Sequence, residues 1–412
     1  MGADLNLLLH AMLELDIYGT LVAASMVLLL GQFLVARVRW LAAYTIPEPV
    51  AGGLCAALLL LALREWMGVV VQFDRSLSPP LMLAFFACIG LNADLASLRR
   101  GGRPLAVFLG VVVGFLLLQN ITGIVLAVAL GQPPHFGLLA GSIALSGGHG
   151  TSVAWGKVFS EEYGLASATE VALACATFGL VLGGLVGGPV AHRLLRKVAP
   201  SGRPDAEADA LTTFEQPHET RLITAPAMIE TLALISICLL AGQALAKALA
   251  GTFLALPAFV CVLFVGVILR NGLAALGWYS VFERAVSVLG NVSLALFLAM
   301  ALMSLRLWEL AALALPLLGL LLGQAILMVA YAMFVTFPAL GRNYDAAVIA
   351  AGHCGFGLGA TPTAIANMQA VTERFGVSPL AFLIVPMVGA FFIDIVNAIV
   401  IKLFLALPWL AP

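Results

Sequence analysis

Two stretches of this 412-residue chain hold the residue types that could do chemistry. One is Ser146-Gly147-Gly148-His149-Gly150-Thr151. The other is Gly352-His353-Cys354-Gly355-Phe356-Gly357-Leu358-Gly359-Ala360-Thr361-Pro362-Thr363. Each is a glycine-rich, hydroxyl-bearing tip inside an apolar segment, about 135–159 and 344–370. Roughly ten residues lead into each tip and about ten lead out, and ten helical residues rise ~15 Å, half of a ~30 Å hydrocarbon layer. The spacing predicts two re-entrant helical hairpins that enter a membrane, turn near its middle and leave by the side they came from.

Such a hairpin brings two kinds of helix end to mid-membrane. The entering arm ends in unpaired carbonyls, which attract a cation; the leaving arm begins with free N–H groups and the positive end of its dipole, which attract a carboxylate. Two tips meeting would offer cation and anion sites side by side, as an ion-coupled transporter of an anionic solute requires. Thr361 is the expected N-cap of the second leaving arm, with Pro362 in its first turn. Gly150, Thr151 and Ser152 hold the matching place in the first. Tight helix packing by small residues is the competing explanation of the glycines. It is preferred for Gly183-Gly184 and Gly187-Gly188, whereas two tips at matching positions favour a binding role. His149 and His353 lack ligand-type neighbours and are read as tip hydrogen-bonding groups rather than metal ligands.

Polar residues within apolar spans are costly, roughly 2.5–3.5 kcal/mol or more for a charge at mid-bilayer. Asp394 and Asn397 lie three apart on one helical face and are read as an ion site rather than a structural pair. Asn92, Gln119-Asn120 with Thr122, Gln324 and Asn367 fit a site or helix–helix hydrogen bonding equally. Ser167-Ala168-Thr169-Glu170 reads as a capping box, and Glu48 between two prolines as compensation of a helix dipole.

The elements that must position these residues follow from composition. The chain is 62% hydrophobic and 10% charged, against about 25% charged for soluble domains, which makes it an integral membrane protein. Its net charge of −1 removes the electrostatic case for nucleic acid. The six cysteines sit in apolar segments without metal-type spacing and read as small buried hydrophobes. With no Lys or Arg before Arg37, the N-terminus lacks the basic region of a cleaved signal peptide, so the first helix is expected in the mature protein. Apolar spans are expected at about 17–36, 46–63, 81–98, 105–130 and 168–190, then at 227–249, 256–269, 287–305, 311–336 and 379–407, with the hairpins between.

The two sets repeat. Thr20-Leu21, Ser25, Leu28-Leu29, Gly31-Gln32 and Leu34 recur as Thr231-Leu232, Ser236, Leu239-Leu240, Gly242-Gln243 and Leu245, an offset of 211. Gly147, Thr151 and Ala154 fall on Gly359, Thr363 and Ala366 at an offset of 212. The expected fold is thus an all-α polytopic membrane protein of two inverted-topology repeats, residues 1–191 and 223–412, joined by a cytoplasmic linker at 192–222. Each repeat has five transmembrane helices plus one re-entrant hairpin, and the odd number of crossings inverts the second half. With the linker inside and both termini periplasmic, fourteen of the 20 Lys and Arg residues lie on the cytoplasmic side, as the positive-inside rule asks.

Over nearly its whole length, from Ile46-Pro47-Glu48-Pro49 to Phe391-Phe392-Ile393-Asp394, the chain resembles the glutamate:sodium symporter family. The two tip stretches look like that family's hairpin signatures. The resemblance implies sodium-driven symport of L-glutamate across the bacterial inner membrane, with Na+ the coupling ion and no other cofactor. It also implies kinship with 2-hydroxycarboxylate transporters, which are homodimers with an elevator-like motion. On this reading Ser146, Gly147, Gly148, His149, Gly150, Thr151, Gly359, Thr361, Pro362, Thr363 and Asn367 are the candidate substrate-binding residues, and Asp394, Asn397, Asn92 and Gly357 the candidate sodium-binding ones. The partners are L-glutamate, sodium, membrane lipid and a second copy of the chain. The rival classes fit less well. No Gly-x-Gly-Asp or Gly-x-Ser-Gly supports an intramembrane protease, a channel would not concentrate its solute, and a citrate carrier would want an arginine at a tip.

Overall fold

Local sequence signals set the ends of the helices in the computed structural model, which describes residues 12–39, 41, 46–196, 222–250, 252, 256–304, 313–408 and 410. Helix α1 (Ile17–Arg37) opens on Asp16, whose carboxylate accepts from Gly19 N at 2.8 Å. Helix α2 (Glu48–Met67) opens after extended Pro47 and stops at Gly68, which takes the left-handed conformation open to glycine. Then come α3 (Ser78–Asn92) and α4 (Ser97–Ala129), the latter broken at Gly102. The first hairpin is α5 (Pro134–Leu138), a π-helical stretch Leu139–Ile143 and α6 (Gly148–Glu162), followed by α7 (Ala168–Leu195).

The second half runs α8 (Ala225–Leu249), α9 (Ala258–Leu276), α10 (Glu283–Met303) and α11 (Ala314–Tyr331), then a π-helical stretch Ala332–Thr336 and the single turn α12 (Phe337–Ala339). Its hairpin is α13 (Tyr344–Leu358) with α14 (Thr361–Phe375). The chain ends in α15 (Pro379–Met387), a π-helical stretch Val388–Phe392 and α16 (Ile393–Leu405).

Among the described residues, eight helices are long and apolar enough to cross a membrane, and the chain is a multi-pass membrane protein. Two of the ten expected spans differ. The third is the 15-residue α3, too short to cross unaided. The last is continuous from Pro379 to Leu405 but is widened at 388–392, just after Pro386, where proline removes a backbone donor. The expectation of an all-α chain also needs a small correction: Met12–Leu15 (β1) pairs in parallel with Val70–Phe73 (β2). Of the expected linker, 192–195 belong to the last turn of α7, and 197–221 lie outside the described residues. The cysteines are free thiols and five are buried, but Cys55 is exposed.

Local features recur between the halves. Ser25 and Ser236 each bond back to the carbonyl four residues earlier at 2.8 Å, and Thr20 and Thr231 are both buried. Left-handed glycines end matching elements at Gly68 and Gly277, Gly131 and Gly341, and Gly164 and Gly376.

Contacts divide the helices into two groups. Helices α1, α2, α3, α8, α9 and α10 pack on one another; α4, α7, α11, both hairpins and α15–α16 form the other set. The sets meet where α10 touches α6, α9 touches α16 and α3 touches 388–392. That boundary is apolar, with Val153, Leu173, Phe297, Leu298 and Leu302 in one cluster.

Within the second set, α7 carries a groove for the second hairpin. A Cβ on Gly179 would lie 2.1 Å from the Leu358 carbonyl oxygen, one on Gly183 3.0 Å from Gly355 O, and one on Gly187 2.1 Å from Asn367 Nδ2. These glycines recur every four residues, one face of a helix. The packing explanation of Gly183 and Gly187 is therefore correct, and Gly179 extends it. Gly179→Ala is expected to cost about 1–3 kcal/mol, read as a lower melting temperature of the detergent-purified protein. Gly188→Ala, which meets nothing within 4 Å, should leave melting unchanged or raise it slightly.

Candidate functional site

The two hairpins meet tip to tip. Gly148, in the left-handed region (φ 68), faces the carbonyl of Gly359: a Cβ there would be 3.7 Å from that oxygen. The hairpins are built differently. The second enters as an unbroken helix from Asn343, whose side chain accepts from Ala346 N at 2.8 Å, to Leu358. It then passes through Gly359 (φ −146, ψ −98) and extended Ala360 and restarts at Thr361. The first is broken within its entering arm at Gly141 (φ −101, ψ −132).

A break in a buried helix frees backbone groups that must find partners within the protein. Two asparagines from different helices take them. Ser142 N donates to Asn120 Oδ1 of α4 at 3.0 Å, and Ser142 O accepts from Asn397 Nδ2 of α16 at 2.9 Å. Gly141 leaves room for this, since a Cβ there would lie 2.8 Å from Asn120 Oδ1. The other heads of these groups, Asn120 Nδ2, Asn397 Oδ1 and Ser142 Oγ, are buried without a protein partner. The Thr151 hydroxyl is a hydrogen-bond neighbour of the half-buried Asp394 carboxylate. Hydroxyl, amide and carboxylate oxygens of this kind are the hard donors an alkali cation takes.

The leaving arms supply the anion-seeking ends. Neither α6 nor α14 has a side-chain cap on its first amides. Thr361 is the first helical residue, not the N-cap: Ala360 stands before it in extended conformation and has no side-chain acceptor. In the first hairpin the helix starts at Gly148, two residues before the expected place, so Thr151 and Ser152 lie inside its first turns. Gly147, Gly148, Ala360 and Thr361 are partly exposed and Pro362 is exposed, whereas His149, Gly150, Thr151, Gly359 and Thr363 are buried. Of the amides at these starts, those of Gly147 and Gly148 donate to the Ser142 and Ala144 carbonyls, and the residues flanking the starts are partly exposed.

Other expected residues have definite structural partners. His149 Nε2 stands 3.1 Å from Thr177 Oγ1, whose own proton goes to Leu173 O, so the imidazole is the donor. His353 Nδ1 is 2.9 Å from Thr336 Oγ1, and its ring is edge-on to Phe108 and Phe115. Asn367 donates to Gly183 O (2.9 Å) and Ala351 O (3.3 Å), tying the leaving arm to α7 and to its own entering arm. Asn92 donates to Ser287 Oγ at 3.1 Å, a bond between α3 and α10 in the other helix group. The Gly357 carbonyl accepts from Gln119 Nε2 at 2.9 Å, with Ser146 Oγ at 3.3 Å. The capping box at Ser167 does not form, as that side chain makes no cap bond, and Glu170 is buried in the first turn of α7.

The family model for sodium/glutamate symporters matches residues 13–377. The chain belongs to the sodium/glutamate symporter family. Relatives named sodium/glutamate symporter from Escherichia coli (strain K12) and Shigella flexneri are 66% identical over 398 residues, covering 96% of this chain and 99% of each relative. Another from Haemophilus influenzae is 54% identical over 387 residues, 93% of this chain and 96% of its own length. Among solved structures, the sodium proton antiporter MjNhaP1 from Methanocaldococcus jannaschii aligns over 97% of this chain and 100% of its own. The identity is 14% and the TM-score 0.34, too low to show a shared fold. Membership of the symporter family makes the protein a transporter rather than an enzyme.

Sequence reasoning passed over Ser142, because a Gly-Ser pair in an apolar arm looks like packing. Thr177 and Thr336, the partners of the two histidines, were invisible for want of any tertiary information. Asn120→Leu would strand the Ser142 amide, whereas Asn397→Leu would take from the Ser142 carbonyl one of two donors, the other being Gly147 N at 2.9 Å. Asn120→Leu is expected to cost about 1–3 kcal/mol and Asn397→Leu less, measured as melting temperature in detergent; unchanged melting in Asn120→Leu would show that the break at Gly141 does not depend on it.

Proposed function

We propose that the protein takes up L-glutamate together with sodium across the bacterial inner membrane, binding both between the hairpin tips. The observation that carries this reading is the meeting of Gly148 with Gly359 beside two uncapped helix N-termini, in a chain of the sodium/glutamate symporter family. The amides opening α6 and α14, with the hydroxyls of Thr361 and Thr363, receive the substrate carboxylates. Gly147, Gly148 and Gly150 let the substrate approach the backbone, and Ser146, His149, Pro362 and Asn367 shape and brace the tips. Asp394 and Asn397, joined by Thr151, hold sodium, whose charge offsets that of the substrate. Gly357 joins them through its carbonyl oxygen, and Asn92 contributes from the neighbouring helix group.

The motion is elevator-like. Helices α1–α3 and α8–α10 form a fixed scaffold and a homodimer interface, and the hairpin group slides along it. Support comes from the division of contacts and from the apolar boundary, which has few polar bonds to break during sliding. Gly150 lies on that boundary, where a Cβ would be 2.6 Å from Phe85 and 3.3 Å from Leu294. Two inverted repeats of five spans and one hairpin each, with termini periplasmic and the linker cytoplasmic, place the tips between two symmetric exits. The repeated caps and the basic residues on the linker side support that topology.

The test is uptake of labelled L-glutamate into proteoliposomes under an imposed sodium gradient, with a potassium control and with aspartate and citrate as competitors. Sodium-dependent accumulation blocked by glutamate and not by citrate is expected; accumulation without sodium dependence would overturn the mechanism. Asp394→Asn should raise the sodium concentration for half-maximal uptake by about tenfold or more, the scale of losing one charged partner.

A further inference from the structure

Gln119 of α4 touches both tips at once, and the function proposed above does not use that contact. It is fully buried. Its Oε1 accepts from Ser146 Oγ in the first tip at 2.7 Å, and its Nε2 donates to the Gly357 carbonyl of the second at 2.9 Å. The Ser146 hydroxyl has one proton, which the shorter contact takes, so its 3.3 Å approach to Gly357 O is secondary. Turning the amide over would set Oε1 against the Gly357 carbonyl, oxygen facing oxygen, so the two heads are assigned uniquely.

The stem of this connector is fixed as well. The Gln119 carbonyl accepts from Gln324 Nε2 of α11 at 2.9 Å. One turn further along α4, Gly123 lies against Gly137 of the first hairpin, where a Cβ would be 2.2 Å from the Gly137 carbonyl. A rigid helix therefore presents one amide whose two ends are complementary to one group on each tip. Neither tip can move away from α4 without breaking a buried hydrogen bond, and a buried polar group left unpartnered costs about 1–3 kcal/mol.

We propose that Gln119 is a positioning residue that couples the two hairpin tips, holding Ser146 and the Gly357 carbonyl in one register so that sodium and glutamate sites form and open together. This rests on the reading that substrate and ion lie between the tips. Leucine at 119 keeps the volume of the side chain but has neither head, so each tip relaxes alone.

The experiment is a cycle of four proteins in proteoliposomes: unmodified, Q119L, S146A and S146A/Q119L. Initial uptake is measured against sodium and against glutamate, with labelled sodium entry recorded in the absence of glutamate. In Q119L both half-saturation concentrations should rise about tenfold, and sodium should enter without glutamate. S146A, which loses one head, should shift in the same direction by less, and the double variant should match Q119L. A role confined to folding would lower the yield and the maximal rate without moving either half-saturation value; that result, or additive effects of the two substitutions, overturns the proposal. Melting of the same proteins in detergent reads the Gln119–Ser146 contact by itself. Coupling seen there with no shift in half-saturation also overturns it. Absence of sodium-driven uptake by the unmodified protein fails the transport reading instead.

Discussion

Backbone groups inside a hydrocarbon layer must find partners within the protein, and this structure depends on how it meets that demand at two helix breaks. An uninterrupted helix satisfies itself, but a helical hairpin turning inside the protein exposes carbonyls at one end and amides at the other. Here the two kinds of exposed group are treated differently. The carbonyl end of α13 and the groups freed at Gly141 are taken by the side chains of Gln119, Asn120 and Asn397. The amide ends of α6 and α14 have no side-chain cap and adjoin partly exposed residues. The protein spends its buried amides on geometry and leaves the starts of α6 and α14, the anion-seeking ends, without side-chain caps.

That division explains why polar residues concentrate on helices beside the hairpins. Asn120 and Asn397 each have one head committed to Ser142 and one unpaired, a poor arrangement for stability alone because a half-satisfied buried network is costly. Replacing both by apolar residues would leave the Ser142 amide without a partner and its carbonyl with Gly147 N alone. The break and the unpaired amide heads are thus one feature, and Asp394 stands a single helical turn from Asn397 on the same element. Packing serves the same end. Glycines on α7 allow backbone contact with the second hairpin, and Gly123 and Gly137 allow it between α4 and the first. Close approach of this kind sets the heights of the tips to within the tolerance of a short hydrogen bond.

Much of this was legible in the chain. The two helix pairs with glycine-rich turns and most helix limits follow from hydropathy, glycine placement and proline, and Pro47 and Glu48 mark a helix start where expected. Three things were not. The break at Gly141 has no local signature, because a glycine followed by serine in an apolar run looks the same whether the helix continues or not. The cap at Thr361 was misassigned because Thr-Pro fits N-cap and N1 as readily as N1 and N2; the extended backbone at Ala360 decides between them. The roles of Asn367 and Gln119 depend on which carbonyls lie opposite, and a sequence alone does not say whether a mid-span amide faces a substrate or another helix.

The asymmetry between the halves bears on mechanism. A strict duplication would give equivalent tips, yet the first hairpin carries the break at Gly141 within its π-helical stretch 139–143 and the second hairpin has neither, while two further π-helical widenings, at 332–336 and 388–392, flank the second hairpin. Widened turns are places where a helix can shift register at low cost. Those at 332–336 and 388–392 adjoin the entering arm of the second hairpin through Thr336 and His353 and the Asp394–Asn397 face directly. The first hairpin is tied by its break to α4 and α16, so it follows any movement of Asp394. The second is tied to α7 by Asn367 and to α4 by Gln119, and its neighbours can yield. A shift of the Asp394–Asn397 helix would therefore act first on the hairpin whose backbone it caps, with the other tip following through the amide of Gln119 that the two share.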